Sequence, residues 1–266
     1  MFTEEYGAVA AAAVGKIALL KKNPVGYFLS AFLAGMFIGF GVLLAFTVGG
    51  ILTGEIYGKI VMGATFGVAL SLVVMAGAEL FTGNNFVITA GMLHKTARVR
   101  DGLLLWAFCW IGNLTGAVIL ALLYRVTGLG HDTAAGIFMA ASAQTKMTLP
   151  FWELLFRGVL CNVLVCLAVW CGFRCKSESG KLIMIFWCLL AFITTGFEHS
   201  IANMTLLTVA LLDPCGITLT VGGWFYNLSV ATLGNMIGAI VFVALPYYFI
   251  SRRKKEKTEV KDEEVK

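Results

Sequence analysis

The chain has 266 residues, of which 59% are apolar and 13% charged, where an ordinary soluble domain carries about 45–50% and roughly 25%. Twelve of the 35 charged residues fall in residues 251–266, so the preceding body suits lipid, and an ordinary soluble enzyme is excluded. The net charge of +5 is no nucleic-acid signal, because the basic residues lie at segment ends and in the tail. Thirty glycines, set mostly inside apolar runs, permit close helix approach in a bilayer, which is the composition of a channel or transporter.

The chain opens Met1-Phe2-Thr3-Glu4-Glu5, acidic where a secretory signal is basic, and no cleaved signal peptide is expected. Residues 1–23 are Ala-rich and end on Lys21-Lys22-Asn23, which predicts an amphipathic helix at the cytoplasmic interface. A bilayer core of about 30 Å needs roughly 20 apolar residues per helix. Within residues 24–250, six stretches meet that length, near 25–52, 60–93, 103–125, 153–173, 182–212 and 228–250. Residues 251–266 read as a charged cytoplasmic tail. Lys and Arg number 16 on the side of the termini, against Lys59, Arg125 and Lys146 on the other. This bias places both termini in the cytoplasm of a multi-pass inner-membrane protein. Arg157 stands one turn from Glu153 and is expected to pair with it.

The second and fifth stretches are too long for one crossing, and each is interrupted by polar residues. The interruptions are Glu79-Leu80-Phe81-Thr82-Gly83-Asn84-Asn85 and Glu198-His199-Ser200-Ile201-Ala202-Asn203, and both spell Glu-x-x-x-x-Asn. The third and sixth segments echo one another as Gly112-Asn113-Leu114-Thr115-Gly116-Ala117 and Gly234-Asn235-Met236-Ile237-Gly238-Ala239. Two three-helix halves repeat, and an odd number of crossings per half makes the second copy inverted. Such architectures bring paired broken helices together at the midplane. Irregular backbone at membrane depth is tolerated where it lines a cavity, so the breaks predict a pore. Two half-helix N-termini converging there favour an anion.

His199 is the histidine that falls inside a predicted span; His94 and His131 fall in loops. An imidazole titrates near working pH and can exchange a proton, and an ionisable group in a membrane ordinarily faces a functional cavity. Carboxylates would repel an anion, so Glu79 and Glu198 are expected to bond freed backbone N–H groups or a basic partner such as Lys146. Phe66, Leu70, Leu80, Phe81 and Phe192 can form apolar constrictions, and Ala31, Gly35 and Gly39 make a small-residue packing face. Six of the seven cysteines lie in or beside apolar segments, and no Cys-x-x-Cys occurs. Neither a disulfide framework, nor a metal site, nor a cofactor is expected.

Ala78-Glu79-Leu80-Phe81-Thr82-Gly83-Asn84 and Gly196-Phe197-Glu198-His199-Ser200-Ile201-Ala202-Asn203-Met204 resemble the formate/nitrite transporter family. The resemblance extends through Ala143-Gln144-Thr145-Lys146, the segment Asn162–Trp170 and both Gly-Asn-x-x-Gly-Ala repeats, and so over nearly the whole chain. General similarity and the Thr-Gly-Asn-Asn form of the first break favour the family's hydrosulfide channel branch. The resemblance implies an all-α, aquaporin-like protomer of six transmembrane helices, the second and fifth broken, assembled as a homopentamer with one pore per protomer. It makes Thr82 the partner of His199, with Phe66, Leu70 and Phe192 as the outer constriction and Leu80 as the inner one. Lys146 and Asn162 add positive field and polar contacts, Glu198 pairs with Lys146, and Asn203 completes the polar set.

The expected function is a passive conduit for small monovalent anions of weak acids, with hydrosulfide first and formate and nitrite next. Lys146 and the helix breaks attract the anion, apolar rings dehydrate it, and His199 with Thr82 meets it. Because a bare anion between apolar rings is costly, transient protonation by His199 would pass it as the neutral acid. A proton travelling with the substrate would instead make the protein a symporter. An aquaporin-like neutral-solute channel is the rival, although Asn-Pro-Ala occurs at neither break. An enzyme using Glu79, Glu198 and His199 lacks a nucleophile-plus-base motif.

Overall fold

The computed structural model describes residues 1–252; apart from Ser251 and Arg252, the expected tail at 251–266 lies outside the described residues. Six helices among the described residues are long and apolar enough to cross a membrane. Helix α1 (Thr3–Lys22) precedes α2 (Pro24–Ile51), the first of them. The second predicted stretch divides into α3 (Gly58–Met75) and α4 (Phe81–Leu93), followed by α5 (Val99–Thr127). After α7 (Phe151–Arg174), the fifth stretch divides into α8 (Glu178–Thr195) and α9 (Ser200–Leu212). The last crossing comprises α10 (Val221–Ala239), a π-turn at Ile240–Ala244 and α11 (Leu245–Ser251).

One helix has no counterpart in the sequence reading. Helix α6 (Ala134–Met147) is 14 residues long, roughly 21 Å and too short to span. Thr133 starts it by accepting a hydrogen bond from the Gly136 N–H at 3.1 Å, an N-cap that satisfies one of the free donors of the first turn. The π-turn also escapes the sequence reading. Pro246 lacks an N–H and cannot continue a regular ladder, and the widened turn before it offers the Ala244 carbonyl to the Tyr6 hydroxyl at 3.1 Å.

Helix α1 buries Tyr6, Val9, Ala10, Ala13, Ile17 and Leu20, a stripe at helical spacing that packs mainly on α4. Its last turn gives way to Asn23, whose side chain accepts from the Gly26 N–H and starts α2.

The two breaks are built alike. Gly77 (φ 76°) and Gly196 (φ 79°) take the left-handed conformation that ends a helix at little cost only for glycine. The residue after each bonds back across the turn, Ala78 N–H to the Val73 carbonyl at 2.9 Å and Phe197 N–H to the Phe192 carbonyl at 3.0 Å. Two residues beyond each glycine stand Glu79 and Glu198, whose own N–H groups donate to Ser30 and Arg157 on the neighbouring helices.

Breaking a helix in lipid frees backbone groups that water cannot reach. Asn113 and Asn235 satisfy them. Asn113 Oδ1 accepts from the Phe81 N–H, while its Nδ2 donates to the carbonyls of Glu79 and Ala31. Asn235 Oδ1 accepts from the Ser200 N–H, and its Nδ2 donates to the carbonyls of Glu198 and Gly158. Neighbouring glycines permit the approach: a Cβ at Gly116 would strike the Phe32 carbonyl of α2, and one at Gly238 the Val159 carbonyl of α7. Of the two roles expected of the glutamates, holding freed backbone N–H groups falls to these asparagines, while each glutamate pairs with a lysine.

Replacing Asn113 or Asn235 with Leu keeps the number and branching of side-chain heavy atoms and strips three hydrogen bonds. With about 1–3 kcal/mol at stake for each buried group left unpaired, each variant is expected to lose several kcal/mol of stability in thermal unfolding. A variant as stable as the wild type would contradict this account.

Candidate functional site: a histidine between apolar constrictions

Thr82 stands in the first turn of α4 and His199 is the N-cap of α9, so the breaks bring them face to face. Thr82 Oγ1 lies 3.0 Å from His199 Nε2. The other ring nitrogen, Nδ1, accepts from the Ala202 N–H at 3.1 Å. With Nδ1 accepting, the ring proton sits on Nε2 and is donated to Thr82, the neutral form of the imidazole. Phe192 stacks on the ring with centroids 5.8 Å apart, and Phe66 meets Phe192 edge-on at 5.5 Å.

A central cavity of about 10 Å³ is lined by His199, Phe66, Phe192, Leu70 and Leu80 together with Ile38, Val165 and Leu189. That volume is at the lower limit for a single water molecule. Leu70 and Leu80 also line a cavity of about 370 Å³ on the side of the N-terminus, with Lys16, Glu79 and Gly83. Phe66, Phe192 and His199 also line a cavity of about 30 Å³ on the far side, with Lys146, Asn203 and Phe197. Leu70 thus belongs with Leu80 at the inner constriction, not with the two phenylalanines where the resemblance placed it.

Each vestibule carries a lysine–glutamate pair. Lys146 Nζ lies 2.6 Å from Glu198 Oε1, and Lys16 Nζ lies 2.6 Å from Glu79 Oε1. The lysine is the more open partner in both, at 18% against 3% side-chain exposure for Lys146–Glu198 and 23% against 11% for Lys16–Glu79. Lys146 lines its vestibule while Glu198 does not, whereas Lys16 and Glu79 both line the other one. The second carboxylate oxygen is held five residues on: Asn84 donates to Glu79 Oε2 at 2.8 Å, and Asn203 to Glu198 Oε2 at 2.7 Å. That contact explains the repeated Glu-x-x-x-x-Asn. Tyr27 adds a hydroxyl to Glu79 Oε2 in the first network, and Asn227 accepts from Asn203 in the second.

Asn162 stands behind Thr82. Its Nδ2 donates to the Thr82 carbonyl at 3.2 Å and to the Asn235 carbonyl at 2.7 Å, so it positions the threonine through the backbone. Phe81 is buried beside the break without lining these cavities. Glu153 and Arg157 pair at 3.2 Å, away from the pore residues.

Sequence reasoning missed Lys16 and Tyr27, and gave Asn113 and Asn235 no task. A signal for Lys16 is present, since it is the one charged residue between positions 6 and 20, and a buried Glu79 equivalent to Glu198 demands a cation. Lys16 was instead counted as one more basic residue on the side of the termini.

The family model for the formate/nitrite transporter matches residues 3–249. The chain is 42% identical over 255 residues to the nitrite transporter NirC of Escherichia coli (strain K12), covering 94% of this chain and 92% of that protein. It is similar to a solved FNT family ion channel with a TM-score of 0.89 at 38% identity, covering 94% of this chain and all of that one. A pentameric formate channel solved with formate bound matches with a TM-score of 0.74 at 28% identity, over 86% of this chain and 98% of that one. With two broken helices meeting at Thr82 and His199 and a family match over residues 3–249, the chain belongs to the formate/nitrite transporter family of membrane transporters and channels.

Proposed function

We propose that the protein passes small monovalent anions of weak acids through one pore per protomer of a homopentamer, in the inner membrane with both termini cytoplasmic. The observation that carries this reading is the series of vestibule, Leu70–Leu80, His199, Phe66–Phe192 and second vestibule, with a lysine lining each end. Branch similarity in the sequence favours hydrosulfide. The relative named as a nitrite transporter and the neighbour with formate bound favour the other two anions, and nitrite is placed first on the higher identity. The 16-to-3 bias of basic residues supports the orientation.

Lys16 and Lys146 draw an anion to the mouths of the dry segment, where the first turn of α4 adds a positive helix end and presents Gly83. Between the apolar pairs a bare anion is costly, so passage occurs as the neutral acid. The histidine geometry refines the proton relay expected from the sequence. To deliver a proton, the ring must first gain one on Nδ1, which breaks the Ala202 bond and sets a cation at a helix N-terminus that disfavours it. His199 is therefore assigned as a hydrogen-bond donor that exchanges Thr82 for the permeant, and the proton is taken from vestibule water.

Asparagine at position 199 can both cap α9 and donate. His199→Asn in liposomes is expected to keep measurable flux with the wild-type pH profile; a flattened profile would restore the relay and sink the donor assignment. In the same vesicles nitrite is expected to compete with formate and hydrosulfide for one path, whereas glycerol or water flux without anion flux would overturn the reading. Lys146→Met leaves Glu198 buried without its cation, a loss of about 3–5 kcal/mol for a broken buried pair. Lys146→Met with Glu198→Gln is expected to regain most of the stability but not the flux, as read by melting temperature beside transport.

A further inference from the structure

A second cavity, of about 310 Å³, lies away from the pore on the N-terminal side, within the size range of small-ligand sites. It forms where three helix ends meet: the start of α1, the end of α4 and the end of α11. The basic residues His94, Lys95 and Arg252 line it, and no acidic residue does. Neither Lys95 nor Arg252 has a carboxylate partner among the described residues. Thr3, Tyr6, Tyr248 and Ser251 complete the wall, the hydroxyls of Thr3, Tyr6 and Ser251 donating to the carbonyls of Ser251, Ala244 and Tyr248, and Leu93 is its aliphatic member. The first turn of α1, a 20-residue helix, brings free backbone N–H groups to the same side; of its glutamates Glu5 pairs with Arg174, and neither Glu4 nor Glu5 lines the cavity.

We propose that this cavity is a binding site for a phosphate-bearing anion, held by Lys95 and Arg252 and by the Thr3 end of α1. Lys95 takes a left-handed backbone (φ 62°) directly after α4, a sharp turn that sets His94 and Lys95 on the same cavity. Arg252 lies over the Tyr248 ring with its guanidinium carbon 5.3 Å from the centroid, which holds the planar group at the rim. The alternative task for Lys95 and Arg252, to offset the negative ends of α4 and α11, accounts for their favourable placement. It does not account for a walled space of ligand size between them. The location matches a lipid headgroup, because the cavity sits where crossings end, and a buried aromatic cluster backs it. In that cluster Trp170 and Tyr247 centroids lie 4.3 Å apart, and Phe2 meets Trp170 at 5.9 Å. A soluble phosphate compound presents the same chemistry, and the two sources differ in the experiment. Occupancy bridges α1 to α4 and α11, and α1 is the helix that carries Lys16 into the vestibule.

The test uses the full chain in neutral detergent, with short-chain phosphatidylglycerol and inorganic pyrophosphate as probes and short-chain phosphatidylcholine as the zwitterionic control. A saturable rise in melting temperature with phosphatidylglycerol alone identifies a lipid headgroup; saturation with pyrophosphate identifies a free phosphate anion. Lys95→Gln with Arg252→Gln removes two surface charges and is expected to weaken the binding roughly thirty-fold. Lys95→Arg with Arg252→Lys is expected to keep it, which separates lost charge from lost fold. A photoreactive phosphatidylglycerol on the wild type should crosslink to residues 3–6, 93–95 or 248–252, competed by whichever probe saturates. The proposal fails if neither anion gives a saturable shift, if the neutralised variant shifts as the wild type does, or if the crosslinks map elsewhere.

Discussion

A helix that stops halfway across a membrane must find partners for its freed backbone groups inside the protein, and two asparagines on α5 and α10 supply them. Asn113 and Asn235 each tie a half-helix start, the carbonyl just before it and a neighbouring crossing into one knot. The rest depends on these knots. They set α4 and α9 end to end, which puts Thr82 against His199 and leaves Leu80 and His199 at equivalent N-caps of the two half-helices. One N-cap is apolar, while the other is polar and hydrogen-bonds Thr82.

The electrostatics follow the same doubling. A bare lysine at a vestibule would leave an uncompensated charge near the dry segment, and a bare glutamate would repel an anion. The pairs Lys16–Glu79 and Lys146–Glu198 avoid both outcomes by neutralising each charge at 2.6 Å, with each carboxylate also held by an asparagine and each lysine lining its cavity.

Much of this was legible because the breaks announce themselves. A charged residue inside a long apolar run, repeated with the same spacing to an asparagine, has few explanations in lipid, and His199 stands next to one of the two. The role of Thr82 came through the family resemblance, while Phe66, Leu80, Phe192 and Lys146 were readable beside the breaks, and all five lie at His199 or line the cavities around it. Other parts left no periodic trace. Helix α6 is too short for a crossing and too mixed to stand out. Lys16 reaches Glu79 across 63 positions of sequence, a distance that no spacing argument covers. A resemblance in sequence marks Leu70 as a constriction residue without fixing its height between the cavities, where it lines the larger one beside Leu80. The direction of the His199 hydrogen bonds is likewise a matter of three dimensions, and it changes the role the residue can take.

The unequal vestibules bear on how the membrane potential reaches the permeant. Hydrated space conducts and holds little of the field, so the potential falls mainly across the short stretch between Leu80 and Phe192, where the cavity shrinks to about 10 Å³. A charge moved through that stretch takes up nearly the whole of about 2.3 kcal/mol per 100 mV, whereas a neutral acid takes up none. The wide vestibule of about 370 Å³ on one side and the narrow one of about 30 Å³ on the other place this drop toward the far face. Voltage dependence of the flux thus becomes a gauge of the permeant's charge state at His199, read without touching the residue itself.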